Sequence, residues 1–164
     1  MKYDYVIGID PDVDKNGIAF LNVLQKNLII KELCFPQLIY TITNMATNFD
    51  ESKRSYIVVV EAGWLNEAHW HLGCRDTKRV AAAKGNAVGR NHETGRKIIE
   101  MLRYHHVNVV EQIPLKKSWK GKDGKITHDE LAYFTGYNRR NNQEGRDAAL
   151  IAWCYANLPI RIKI

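Results

Sequence analysis

Tyr3-Asp4-Tyr5-Val6-Ile7-Gly8-Ile9-Asp10-Pro11-Asp12-Val13-Asp14-Lys15-Asn16-Gly17-Ile18-Ala19-Phe20-Leu21-Asn22-Val23 is the stretch on which the fold turns. Tyr3 to Ile9 is rich in aromatic and β-branched residues, which suit a pleated, half-buried surface. Asp10-Pro11 opens a polar turn that ends at Asn16-Gly17, a strong hairpin signal, and Ile18 to Val23 returns as a second strand. After the polar break Gln25-Lys26-Asn27, a third strand runs from Leu28 to Phe35, making an antiparallel meander. Pro36 suits a first helical turn, and Leu38, Ile39, Ile42, Met45 and Ala46 recur at helical spacing up to Asp50-Glu51-Ser52-Lys53. Tyr56 to Val60 is an apolar strand expected to be buried on both faces.

Residues 62 to 84 show no clear period and read as a long functional loop with at most a short helix. From about Val88 to Tyr104 the pattern is helical, with Gly95, Ile98, Ile99 and Leu102 on one face. Val107 to Val110 is a fifth strand. A basic, glycine-punctuated segment from Lys116 to Lys125 follows. Thr127 and Glu130 then stand at capping-box spacing before a short helix. The last helix runs from about Glu144 to Asn157, before Pro159. This order predicts an α/β fold with a five-stranded mixed sheet, three antiparallel strands then two parallel, flanked by helices.

A chain of 164 residues with 45% hydrophobic content supports one well-buried core, so a single domain over residues 1–164 is expected. The formal charge is +6 and the pI about 9.2, which leans toward a polyanionic partner. Cys34, Cys74 and Cys154 show no Cys-x-x-Cys spacing, so neither a disulfide framework nor a zinc knuckle is indicated. No stretch approaches the ~20 apolar residues of a membrane helix and no export signal is recognisable, so a cytoplasmic protein is expected.

Four acids carry the functional reading. Asp10 and Glu61 each end an apolar strand, and Glu144 and Asp147 share one face of the first turn of the last helix. Each has a bland reading: Asp10 as a turn initiator, Glu61 as a surface residue, the helical pair as partners of the helix dipole. Yet a carboxylate at the end of a buried strand must be solvated, paired or bound to a cation. The spacing Asp10-x-Asp12-x-Asp14 does not make a calcium loop, because its glycine is Gly17 and its twelfth residue Leu21. His69, Trp70 and His71 lack a second cluster with which to complete a zinc site. Three or four converging carboxylates suit two hard divalent ions, which together activate water and stabilise charge on a leaving phosphodiester oxygen.

Ile7-Gly8-Ile9-Asp10-Pro11, Val58-Val59-Val60-Glu61 and Glu144-Gly145-Arg146-Asp147-Ala148-Ala149-Leu150, in this order, resemble the ribonuclease H-like superfamily and, within it, the RuvC-type Holliday junction resolvases. The resemblance implies a metal-dependent, structure-selective DNA endonuclease that resolves four-way or other branched junctions as a homodimer. It implies Mg²⁺ or Mn²⁺, two ions per site, with Asp10 bridging, Glu61 on one ion, and Asp147 with Glu144 on the other. It also places Lys116 and Lys117 near the scissile phosphate, with Lys120 and Lys122 further out and Arg139, Arg140 and Arg146 adding to the same field. Trp64 would stack on unpaired bases. Two other readings remain: a non-catalytic nucleic-acid-binding module on the same fold, and a phosphotransferase of the sugar-kinase and actin superfamily. The phosphotransferase lacks its glycine-rich phosphate loop and second domain here.

Overall fold

The computed structural model describes residues 2–66 and 76–161. His69, Trp70, His71, Cys74 and Arg75 lie outside the described residues. Strands β1 (Tyr5–Asp10), β2 (Asn16–Asn22) and β3 (Asn27–Leu33) form the expected meander, followed by helix α1 (Phe35–Glu51) and strand β4 (Tyr56–Glu61). Helix α2 (Lys78–Tyr104), strand β5 (Val109–Gln112) and helices α3 (His128–Thr135) and α4 (Gln143–Tyr155) complete the order. The sheet order is β3-β2-β1-β4-β5, with β1, β2 and β3 antiparallel and β4 and β5 parallel to β1. This is the five-stranded mixed sheet, three strands antiparallel and two parallel, that the order of elements predicts.

Alternation along the central strands divides the core into two layers. Ile7, Ile9, Ile18, Phe20, Val58 and Val60 face α1 and α2 and pack with Leu38, Ile42, Ile98 and Leu102. Val6, Ala19, Leu21, Ile57 and Val59 face the other way, onto Ala148, Ala149, Ile151 and Trp153 of α4. The β4 run is therefore apolar because both its faces are covered.

Two glycines set how closely α4 approaches. A Cβ on Gly8 would collide with the Ala148 carbonyl and lie 2.9 Å from the Ala152 nitrogen, and one on Gly17 would collide with the Glu144 carbonyl. Gly17 thus serves packing and not the hairpin turn. Asp12 makes that turn, its Oδ1 accepting from the Asp14 nitrogen at 2.9 Å. The fully buried Asn16 braces it, accepting from the Asp12 nitrogen at 3.0 Å and donating to the Leu33 carbonyl at 3.2 Å.

Helix α2 begins about ten residues before the predicted Val88, at Lys78, after the N-cap Thr77 accepts from the Val80 nitrogen. Among the described residues its buried positions, Gly95, Ile98, Ile99 and Leu102, all fall in its second half. An apolar period is therefore absent there, although Ala81, Ala82 and Ala83 favour a helix. At α3 the capping box of Thr127 and Glu130 is present as expected. No helix among the described residues is long and apolar enough to cross a membrane.

Candidate active site

Asp10 and Glu61 have the same parity as Gly8 and Val59, so both point to the face covered by α4. The paired rungs of β1 and β4 run to Ile9 and Val60, and the two acids follow directly on that ladder. Across from them, Asp147 projects from α4 three positions after Glu144. Asp10, Glu61 and Asp147 line one small cleft of about 70 Å³ with Lys116, Lys117 and Lys125.

The electrostatics of this cleft follow from burial and like charge. Burial pushes the Asp10 carboxyl well above its ordinary range, with Glu61 and Asp147 adding repulsion and Lys125 opposing. Glu61 is raised by burial and by Asp147, against Lys117, Lys125 and a hydrogen bond from the Leu115 backbone. Burial likewise raises Asp147, opposed first by Lys125 and then by Gln143, whose Nε2 donates to Oδ1 at 2.8 Å. Burial alone would lower the Lys125 ammonium, but Asp147, Asp10 and Glu144 raise it on balance. The Lys125 Nζ lies 3.4 Å from Asp147 Oδ2.

Lys125 and Gln143 are not among the residues that the sequence patterns single out. Gln143 stands four residues before Asp147 on α4, the spacing at which side chains meet on a helix. Lys125 is returned to the acids by the loop itself: the Trp119 nitrogen donates to the Gly124 carbonyl and the Gly121 nitrogen to the Lys125 carbonyl, each at 3.0 Å. Gly124 has φ 72°, where a side chain would be strained, and its missing Cβ leaves room for the Lys117 carbonyl. The glycines that punctuated this segment were the signal that it doubles back.

Other expected residues stand apart. Glu144 occupies the first turn of α4 and reaches the cluster only through weaker charge effects on Asp10 and Lys125. Lys120 and Lys122 are exposed, as are Arg139 and Arg140. Arg146, expected to face DNA, is instead a tie within the fold. Its guanidinium donates to the Ile126 carbonyl at 3.1 Å, the Asn141 carbonyl at 2.8 Å and Gln143 Oε1 at 2.7 Å, which leaves little donor capacity for a phosphate. Trp64 is half-buried against the α1 and α2 layer, where it donates to Glu111 Oε2 at 3.2 Å and has Arg96 over its ring at 5.4 Å.

Among the described residues, no group of three or more acidic, histidine or cysteine side chains is placed as a ready-made metal site. The donor chemistry nonetheless fits a divalent cation. Three carboxylates share a partly buried cleft in which each raises the charging cost of another, and the countercharge there is supplied by lysines.

A carboxyl whose folded pKa is raised stabilises the fold fully only below its ordinary value, 3.8 for Asp and 4.5 for Glu, and that contribution is lost as pH rises through the folded pKa. In EDTA the Tm is expected to fall as pH rises from the ordinary carboxylate range toward neutrality, and millimolar Mg²⁺ at neutral pH is expected to restore it. Differential scanning fluorimetry across this range checks the sign. A Tm that rises with pH in EDTA, or ignores Mg²⁺, contradicts it.

A five-stranded mixed sheet with three acids and three lysines at one cleft is what fold and site define. No family model matches the chain, and no curated protein matches it. Among solved structures, Thermus thermophilus RuvC in complex with a Holliday junction substrate is 16% identical with a TM-score of 0.47, covering 93% of this chain and 92% of that one. Thermus thermophilus RuvC in a second structure is 19% identical with a TM-score of 0.45, covering 93% of each chain. The Fowlpox virus resolvase, in complex with substrate Holliday junction DNA, is 10% identical with a TM-score of 0.48, covering 93% of this chain and 97% of that one. These likenesses concern the course of the chain, and the chemistry rests on this site's own residues.

Proposed function

We propose that residues 1–164 form one nuclease domain, a divalent-metal-dependent endonuclease that cuts branched DNA, four-way junctions foremost, by phosphodiester hydrolysis. The observation that carries this reading is the convergence of Asp10, Glu61 and Asp147, from two strands and a helix, in a cleft flanked by Lys117 and Lys125. Asp10, Glu61 and Asp147 would hold two Mg²⁺ or Mn²⁺ ions, with Glu144 the outermost member of the set. Bound ions would supply an activated water and stabilise charge on the departing oxygen.

The chain's own groups do the rest. Gln143 fixes the Asp147 carboxylate through Oδ1, leaving Oδ2 toward Lys125. Leu115, Ile126 and Leu150 wall the cleft with apolar surface, which strengthens each charge interaction inside it. A phosphate entering the cleft would draw Lys125 off Asp147, with Lys117 and Lys116 neutralising its charge from the rim. A two-fold homodimer would match the symmetry of a four-way junction. The first half of α2, in which no residue is buried among the described residues, is available as its contact.

The ion pair of Lys125 with Asp147 favours one competing reading, a binding module in which lysine replaces metal. The test incubates the protein with synthetic four-way junction, flap and linear duplex DNA in Mg²⁺. Symmetric nicks in the junction, with little cutting of duplex, are expected. Binding that is equal in EDTA and Mg²⁺ with no cleavage of any substrate would support the module instead.

A further inference from the structure

A second cavity, of about 550 Å³, opens beside the acidic cleft, and Trp119 lines both. That volume suits a nucleotide-sized ligand. The lining brings together the aromatic rings of Trp119 and Tyr133, the cations Lys120 and Arg161, and the hydrogen-bonding groups of Asp129 and Asn138.

This wall is braced. Trp119 stacks on Phe134 at 5.9 Å between ring centroids, and Phe134 leans on Trp153 of α4 at 5.7 Å. The aromatic series thus ties the cavity to the helix that carries Asp147. Glu130, also in the lining, is already engaged: it accepts from the Lys120 nitrogen at 3.0 Å, the Thr127 nitrogen at 3.0 Å and the Thr127 hydroxyl at 2.7 Å. Asp129 and Glu130 face Lys120 and Arg161 there, so the lining holds two acids and two cations and is formally neutral. Tyr133, by contrast, is 52% exposed, with no ring contact among the described residues.

We infer that this cavity takes one unpaired nucleotide of the DNA strand, a few nucleotides from the phosphate in the acidic cleft. Its base stacks on Tyr133, the Asp129 carboxylate and Asn138 amide meet its polar edge, and Arg161 takes its phosphate. The inference rests on the nuclease reading and deepens it, since such a pocket makes cutting depend on the base near the cut. Trp119, shared by both cavities, is the continuity between them.

The test uses the full chain carrying Asp10→Asn, with four-way junctions in which 2-aminopurine, or an abasic residue, is placed at each position near the cut in turn. At one position, bound 2-aminopurine is expected to be quenched by stacking, and the abasic junction to bind about ten-fold more weakly. Tyr133→Ala should abolish the quench and bind intact and abasic junctions alike, while Tyr133→Phe keeps both effects. No quenched position, or abasic and Tyr133→Ala effects that multiply, overturns the inference. Quenching without any cleavage by the unmutated protein overturns the nuclease reading alone, and failure to bind any junction overturns both.

Discussion

Asp10→Asn is expected to lower the single-turnover rate of junction cleavage at least about a thousand-fold. That is the consequence of losing several kcal/mol of transition-state stabilisation at the central carboxylate. Asparagine keeps the shape of the side chain, so β1 and its pairing with β4 should persist. The same variant is expected to be more stable than the unmutated protein in EDTA at neutral pH. Asp10 is the carboxyl pushed furthest up, by burial first and then by Glu61 and Asp147, and removing its charge relieves both the burial and the repulsion. A rise in Tm of about 2–4 °C is the shift that about 1 kcal/mol produces in a chain of this size. Mg²⁺ should add less stability to the variant than to the unmutated protein. Loss of activity together with gain of stability marks a residue placed for chemistry and not for folding. A variant that cuts normally, or one that is less stable in EDTA, contradicts this account.

Gly17→Ala is expected to have the largest effect on the fold. The new methyl would meet the Glu144 carbonyl and lie 2.7 Å from the Gly145 nitrogen, both backbone atoms that no rotamer change moves. Either α4 shifts away from β2 or the hairpin twists, and overpacking of this kind destabilises by about 3 kcal/mol. Tm should fall by roughly 6–12 °C. Because Glu144 and Asp147 ride on α4, cleavage should suffer even where the variant stays folded. Alanine at Gly85, where an added Cβ meets nothing within 4 Å, is the control and should be neutral or slightly stabilising. Equal stability of Gly17→Ala and the unmutated protein would show that α4 does not depend on that close approach.

Much of this was legible in the sequence, for reasons that differ by element. The meander, β4 and the last helix carry strong periodic patterns, and their order alone assembles the sheet. Asp10 and Glu61 were legible because each charge ends an apolar run. The first half of α2 was not, since a helix that buries nothing has no apolar period to read. The hold on Arg146 was not legible because its charge suggests DNA, whereas its partners Ile126, Asn141 and Gln143 come together only in the folded chain. Lys125 was missed for the converse reason: among many loop lysines, only the doubling back at Gly121 and Gly124 sets it beside Asp147. Gly17 carried a turn signal that was real in kind and wrong in purpose.

The central claim is that these carboxylates work through divalent metal on a branched phosphodiester. The most direct measurement is the single-turnover cleavage of a labelled four-way junction as Mg²⁺ or Mn²⁺ is titrated into EDTA-treated protein. The account predicts no product without metal and a rate that rises and saturates with added ion, alongside negligible cutting by Asp10→Asn. Product formed at an undiminished rate in EDTA, or none at any metal concentration while the junction is bound, would contradict it.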